Sequence, residues 1–432
     1  MKLKIDPSVT VGTIKPMNAV NNGPKYTDNA DQNLTNLPAF KAANIPYARV
    51  HDASICYDYG GEHTVDIHNI FPDFSADPYS PEAYDFTLTD MYLDHIELAG
   101  AEPFYRLGSK IEHWPKHYGI LPPADPHKWA VVCEHIIMHM NEGWADGRYR
   151  GIKYWEIWNE PDFNEKCWLG TPEEFYELFA VTAKHLKSRF PELKIGGPAV
   201  CGFNEKWLRP FFEKMRSENV PMDFYSWHRY GSCVADFTDD ARRHRALLDE
   251  FGYTEAESIL DEWNYVRGWS GEEWKNSLQT ELSMKGAAMI SAVMAACQRE
   301  AVDMLMYYDA RINSTMNGLF SFGTLEPLKG CHALSAWGEL LAAGDECKTE
   351  CDVPDIYAAA AVKDGRAVTV VTYYTDDEAA LPRSFTVELP GDELRTVSLL
   401  DESRDMTPYL SIAPDGGRFT LTMQPNTVVV IK

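Results

Sequence analysis

The chain has 432 residues, 45% hydrophobic and 24% charged, a composition that can bury a large core without disulfide or metal staples. Its 40 basic and 65 acidic residues give a formal net charge of -25, a surface that repels nucleic acid and anionic membranes and favours a small neutral or cationic partner. The start, Met1-Lys2-Leu3-Lys4-Ile5-Asp6-Pro7, has no apolar secretory segment, no run is long enough to span a bilayer, and the 9 cysteines are scattered without paired spacing, so the expectation is a reduced, cytoplasmic protein.

In chain order, residues 1–8 alternate Lys2, Lys4 and Asp6 with Leu3 and Ile5, which predicts a strand. From about residue 10 to about residue 340, short apolar segments alternate with segments of helical period, the pattern of a parallel sheet with crossover helices. The candidate strands are 11–17, 47–50, 102–107, 154–158, 194–197, 224–228, 258–261 and 304–308. Between them, Trp129, Val132, Cys133, Ile136, Ile137 and Met140 recur at helical spacing after Pro126, as do Trp207, Leu208, Phe211, Phe212 and Met215. Leu282, Met289, Val293 and Met294 predict one long helix before the last strand. Eight such units predict a (β/α)₈ TIM barrel over residues 9–345. A doubly wound sheet would show a G-x-G-x-x-G turn, which is absent.

After Cys347 the texture becomes all-β. Strands are expected at 357–362, 367–373, 384–388, 395–400, 418–423 and 427–431, so residues 346–432 read as a smaller C-terminal β-sandwich joined by strand 1–8. No flexible linker precedes it, and Trp337, Leu340 and Leu341 offer an apolar helix face for contact with the barrel.

Chemistry in such a barrel sits at the C-terminal strand ends. Those ends read Arg49-Val50-His51-Asp52, Tyr105-Arg106-Leu107-Gly108, Trp158-Asn159-Glu160-Pro161, Trp227-His228-Arg229-Tyr230-Gly231, Asp261-Glu262-Trp263-Asn264 and Tyr308-Asp309-Ala310-Arg311. A single Glu is ordinarily a solvated surface residue. Glu160 and Glu262 differ in following the fourth and seventh strands, which face each other across a barrel mouth. Two carboxyls flanking a sugar, about 5–5.5 Å apart, are what retaining cleavage of a glycosidic bond needs. Glu156, four residues before Glu160, points to the same side and requires a buried partner, Arg49 or Arg106. Aromatic residues make up 12% of the chain. Trp114, Trp158, Trp227, Trp263, Trp269 and Trp274 lie in or after strand ends, with Trp263 and Trp269 the first candidates for a sugar platform. His135 and His139, four apart on a helix after Glu134, have a spacing that can bind zinc, but no H-E-x-x-H is present and the helix lies outside the barrel. No metal or cofactor is expected.

The segment Lys153-Tyr154-Trp155-Glu156-Ile157-Trp158-Asn159-Glu160-Pro161-Asp162 resembles the acid/base motif of glycoside hydrolase family 39, in the clan of retaining barrel glycosidases. Leu260-Asp261-Glu262-Trp263-Asn264 resembles its nucleophile segment, and the likeness extends to 49–52, 101–104, 196–199 and 228–230. Segment 261–264 is also similar to that of family 51 arabinofuranosidases, whose acid/base segment usually lacks the following Pro; the sugar is what this leaves open. The resemblance implies Glu160 as acid/base, Glu262 as nucleophile and Asn159 as a partner of the sugar 2-hydroxyl and the nucleophile. It implies His228 or Tyr230 beside one of the carboxyls, and His51 and Asp52 on sugar hydroxyls. Each histidine alone is as readily a satisfied core residue.

These readings converge on a retaining, exo-acting, β-xylosidase-like hydrolase of small oligosaccharides or glycosides. Arabinosidase, galactosidase or iduronidase specificity and endo action are the alternatives within the chemistry. A carbohydrate-binding barrel without catalysis is the alternative outside it, and the intact carboxylate pair speaks against it. Homo-oligomer formation is left open.

Overall fold

The computed structural model describes residues 1–26, 34–53, 63–113, 115–363 and 365–432. The chain opens with β1 (Lys2–Thr13), and then lays down β2 (Ala19–Asn21), β3 (Tyr47–Val50), β4 (Glu102–Leu107), β5 (Tyr154–Ile157), β6 (Lys194–Val200), β7 (Phe224–Gly231), β8 (Glu257–Tyr265) and β9 (Met304–Tyr307). Strands β2 to β9 pair in parallel in chain order, and β9 closes on β2, giving an eight-stranded barrel. They overlie the segments expected from the sequence, except the first. Residues 11–13 belong to β1, where Val9 and Val11 are exposed, and the barrel begins only at Ala19.

Helices cover the outside, several of them started by local chemistry. Helix Pro126–Glu142 has Pro126 in its first turn, an Asp125 carboxylate accepting from the His127 and Lys128 amides, and Gly143 at φ 76° to end it. Helix Pro172–Arg189 carries a Thr171/Glu174 capping box. The long helix expected around 282–294 is two, Gly271–Glu281 and Met284–Cys297. Ser283 caps the second by accepting from the Lys285 and Gly286 amides, and Leu282 at the break is exposed. His139 is a packing residue, its ring 3.5 Å from that of Phe86 and its nitrogens 2.9 Å from the Trp144 carbonyl and 3.2 Å from Asp90.

The barrel interior is layered. Ala19, Phe104, Tyr154, Phe224, Ile259, Met304 and Met306 form an apolar plug at the bottom. Tyr47 of β3 packs against it, and two residues further along from Tyr47, Phe104, Tyr154 and Ile259, Arg49, Arg106, Glu156 and Asp261 are fully buried above it. Strand alternation keeps both layers pointing inward.

The second sheet comprises β1 and the remaining strands β10 (Asp345–Cys351), β11 (Ile356–Lys363), β12 (Arg366–Tyr373), β13 (Arg383–Glu388), β14 (Arg395–Asp401), β15 (Arg404–Ile412), β16 (Arg418–Met423) and β17 (Thr427–Ile431). Its order is β15-β14-β17-β12-β11-β10-β1-β13-β16. The sheet doubles over as a β-sandwich, so Leu3, Ile5, Phe385 and Phe419 share one core with Val371, Val397, Val429 and Ile431. Its other face, Ala359, Val370, Val428 and Val430, joins the core of the barrel helices with Trp337 and Leu340, while Leu341 is partly buried against it. Polar bonds cross the same seam, Ser291 to Thr372 at 2.6 Å and Gln298 to Glu346 at 2.7 Å. Sequence patterning missed β10, which is mostly polar, and β15, an edge strand broken by Pro408 and largely exposed. Among the described residues no helix is long and apolar enough to cross a membrane.

Candidate active site

The chain leaves β5 at Ile157 and turns sharply. Trp158 and Glu160 adopt φ of 77° and 46°, a left-handed conformation that such residues keep only where their surroundings impose it. The Trp158 indole is buried, stands edge-on to Trp168 and donates to the Cys167 carbonyl at 2.8 Å. The Glu160 amide donates to the Ala199 carbonyl at 2.8 Å. Gly108, past β4, leaves the space: a Cβ there would stand 3.1 Å from the Trp158 Cα. The turn thereby aims the Glu160 carboxyl over the barrel mouth.

Glu262 is placed by a different device. Opposite Trp227 and His228 of β7 stand Leu260 and Glu262 of β8, and opposite Leu305 and Tyr307 of β9 stand Leu260 and Trp263. Strand β8 therefore carries one extra residue, a bulge that re-aims side chains. In consequence the chain neighbours Asp261 and Glu262 both reach Arg49, at 3.1 Å from Nε and 3.3 Å from Nη1.

His228 lies between the two glutamates, its Nδ1 2.8 Å from Glu160 Oε1 and 3.7 Å from Glu262 Oε2. The Tyr230 hydroxyl donates to Glu262 Oε1 at 2.5 Å. One oxygen of each glutamate and a nitrogen of His228 lie within 4.8 Å of one another. Beneath them Arg49 donates from Nε to Glu156 Oε2 at 2.7 Å, from Nη1 to Asn21 at 2.9 Å and from Nη2 to Asn159 Oδ1 at 2.7 Å. Arg49, not Arg106, is thus the partner of Glu156; Arg106 binds Asp66 at 2.7 Å and the His51 carbonyl at 3.0 Å.

Burial pushes the Glu160 carboxyl up to about 7, with His51, Arg49 and the Cys167 thiol opposing. Burial also raises Glu262, helped by Glu160 and resisted by His228, Arg49 and Tyr230. Arg49 and Tyr230 bond Glu262 directly, whereas Glu160 meets His228 and a thiol 3.7 Å away. Of two facing carboxyls the charge therefore settles on Glu262 and the proton on Glu160. Burial lowers His228 to about 4, which keeps its imidazole neutral.

His51 Nδ1 is 3.1 Å from Asp52, which also contacts Lys110 at 3.1 Å and Arg311 at 3.3 Å. Against the upward push of burial, Arg311, His51 and Lys110 hold Asp52 well below the usual carboxylate range. Trp263 is not a platform: it is fully buried against Phe237 and Tyr307, because beyond the bulge it points out to the helices. Trp158 and Trp227 are buried as well. Trp269 is 60% exposed, stacked on Trp274 and edge-on to Tyr230 with ring centres 4.9 Å apart. Trp114 lies outside the described residues. Sequence reasoning passed over Asp261, because period-two alternation puts it on the face opposite Glu262, and also Asp162 and Cys167. Burial pushes Asp162 up to about 7, and it accepts from the Cys201 amide at 2.9 Å.

Among the described residues two groups of donor side chains are close enough to share an ion, Glu160–His228–Glu262 and His63–Asp66–His68. In the second, Arg106 already supplies the positive charge at Asp66.

The model of the family described as glycosyl hydrolases family 39 matches residues 35–274, more than half the chain and all of the strand ends from β3 to β8. A β-xylosidase of Geobacillus stearothermophilus is 28% identical over 173 residues, which are 38% of this chain and 34% of that protein. The chain thus aligns with about a third of the length of that curated relative. A glucosidase of Croceicoccus marinus superposes with a TM-score of 0.80 at 21% identity, over 100% of this chain and 98% of the other. A monomeric β-xylosidase of Caulobacter crescentus superposes with a TM-score of 0.74 at 17% identity, over 100% and 98%. At these identities the superpositions speak for the shared fold.

Proposed function

The chain belongs to glycosyl hydrolase family 39, and from that premise we propose that it hydrolyses small glycosides with retention of configuration, acting from the chain end on β-xylosides. The observation that carries the reading is the carboxyl pair at the barrel mouth, Glu160 and Glu262, each offering an oxygen within 4.8 Å of the other and of His228. That spacing suits a carboxylate attacking the sugar directly; inversion needs about 6.5–9.5 Å to admit a water.

In this reading Glu262, charged beside Arg49 and Tyr230, attacks the anomeric carbon while Glu160 delivers its proton to the leaving oxygen. A covalent glycosyl-enzyme forms and the aglycone departs as an alcohol. Glu160, now a carboxylate, takes a proton from water as that water attacks the same carbon, and Glu262 is released. Neutral His228 hydrogen-bonds Glu160 in either state. Asn159, held by Arg49, is left with its amide nitrogen to donate toward a sugar hydroxyl. His51 and Asp52 take other hydroxyls of the bound sugar, and Trp269 with Tyr230 forms the aromatic wall on the leaving-group side. The xyloside preference is drawn from the β-xylosidase relative.

The test uses aryl glycosides of xylose, glucose, arabinose, galactose, fucose and iduronic acid, with product configuration followed by NMR. Retention and preference for the β-xyloside are expected. Preference for another sugar changes the substrate and leaves the mechanism; an inverted product overturns the mechanism. Glu160→Ala should keep fast glycosylation by a dinitrophenyl glycoside, stall at the covalent intermediate, and recover turnover with azide to give a retained glycosyl azide. Glu262→Ala with azide should give the inverted azide.

A further inference from the structure

Directly under the two glutamates lie two more buried acids, Glu156 and Asp261, that the chemistry above does not use. Both are fully buried, and they come from opposite sides of the barrel, β5 and β8. Their oxygens converge on one donor: Arg49 Nε stands 2.7 Å from Glu156 Oε2 and 3.1 Å from Asp261 Oδ2. A single N–H cannot satisfy two carboxylates; the Ser226 hydroxyl helps Glu156 alone, and neither Asp261 oxygen accepts a well-formed hydrogen bond from the described residues. Two carboxyls meeting in a dry site with one donor between them require a proton.

We propose that Glu156 and Asp261 share one proton and act together as a single negative charge, a positioning pair that fixes the charge felt by Glu262. The inference rests on Glu262 as nucleophile. The surroundings explain why the proton matters. Arg49 from β3 is the cation that Glu156, Asp261 and Glu262 all contact. His228 from β7 approaches Asp261 Oδ1 with Nε2 at 3.6 Å and is neutral, while Arg106 from β4 is committed to Asp66. His51 lies beyond the end of β3, and Glu160, beyond β5, is itself protonated in the resting state. With the shared proton, Arg49 balances the pair and leaves Glu262 as one net negative charge. With both acids ionised, the cluster would carry a second uncompensated charge beside Glu262 and favour a protonated, unreactive nucleophile. The electrostatic environment points the same way: burial first, and then the Glu156 charge, push the Asp261 carboxyl well up, while against burial Arg49 and hydrogen bonds from Asp261 and Ser226 hold Glu156 low.

The bulge in β8 sets Glu262 over this pair. Asp261 faces inward by plain alternation from Ile259, and without the extra residue Glu262 would face the helices, away from Arg49. The device that seats the nucleophile thus brings it onto a proton-holding acid.

The experiment is a charge cycle read on the acidic limb of the kcat/KM–pH profile, which reports ionisation of Glu262. Glu156→Gln and Asp261→Asn each remove one carboxyl and the shared proton together, so the site keeps one negative charge. Each single variant should move the limb by less than about half a unit. The double variant removes the charge, leaves Arg49 to Glu262 alone, and should move the limb down by about one unit or more. Additive downward shifts in the singles would mean that both acids are ionised, and an unmoved limb in all three would mean that their charge is not felt; either result overturns the proposal. A second measurement needs neither activity nor the double variant. Infrared difference spectra of wild type against Asp261→Asn at pH 8, above Glu160 and Asp162, should show a neutral carboxylic acid C=O band lost in the variant. Absence of that band overturns the proposal whatever the fate of the glycosidase reading.

Discussion

The two layers inside the barrel are built by the same strands and obey opposite rules. In the lower layer Phe104, Tyr154, Phe224, Ile259 and Met304 exclude water and need only volume and shape. In the upper layer Arg49, Arg106, Glu156 and Asp261 are equally dry but are charged groups held by ion pairs, Arg49 with Glu156 and Asp261 and Arg106 with Asp66. The upper layer is the more costly to bury, since desolvated ions gain back their hydration only through close pairing. What it supplies is a fixed electrostatic floor for the carboxyls at the mouth. The lower layer supplies the rigidity that keeps this floor from relaxing.

The sharpest contrast between the layers is in what a truncation does. Glu262→Ala should lower kcat/KM on an aryl glycoside on the order of 10⁴-fold or more, because no other group can attack the sugar. Its melting temperature should stay at or above that of wild type, since a crowded buried carboxyl has been removed. Activity within about tenfold of wild type would take Glu262 out of the chemistry.

Stability should separate the layers in the other direction. Arg49→Met leaves Glu156, Asp261 and Glu262 without their common cation, a loss of about 3–5 kcal/mol as for a broken buried pair. Phe104→Leu in the plug conserves most of the volume and should cost about 1–1.5 kcal/mol, with the pH profile unchanged. Denaturant melts of both variants check this. Equal losses would erase the distinction between a floor that is paired and a plug that is merely packed.

The apolar alternation that builds the plug is also what made the barrel legible in the sequence. Strand periodicity predicted β3 to β9, and with them the strand ends that carry Glu160, Glu262, His228 and Tyr230, because which residues end a strand depends only on local order. What stayed hidden depends on a departure from that order. The β8 bulge is invisible to a period-two reading, so Asp261 was passed over and Trp263 was placed on the wrong face. The start of the barrel was misplaced for a related reason: residues 11–13 look like a strand and are one, but β1 pairs with β10 and β13, strands that lie more than 300 residues away. The partner of Glu156 was narrowed to two arginines, and only the fold decides between them, because Asp66 claims Arg106.

The smallest effect expected comes from a residue on the rim of the contrast, the Cys167 thiol 3.7 Å from Glu160 Oε2. The alkaline limb of kcat/KM reports Glu160: activity falls as pH rises through its value of about 7, because the acid loses the proton it must donate. The acidic limb reports Glu262, whose carboxylate is lost as pH falls, and it should lie above an ordinary glutamate because burial raises the group. A thiol donating to Glu160 favours its charged form, so removing it must raise Glu160 further. Cys167→Ala should shift the alkaline limb upward by about half a unit, ~0.7 kcal/mol, leaving the acidic limb in place. Cys167→Ser substitutes a stronger donor of similar size and should shift the same limb down. Opposite signs from two substitutions at one position cannot come from a general loosening of the site, which would move both variants the same way. A shift of equal sign in the two would remove the thiol from the list of groups that tune Glu160, and would leave burial alone to hold its proton.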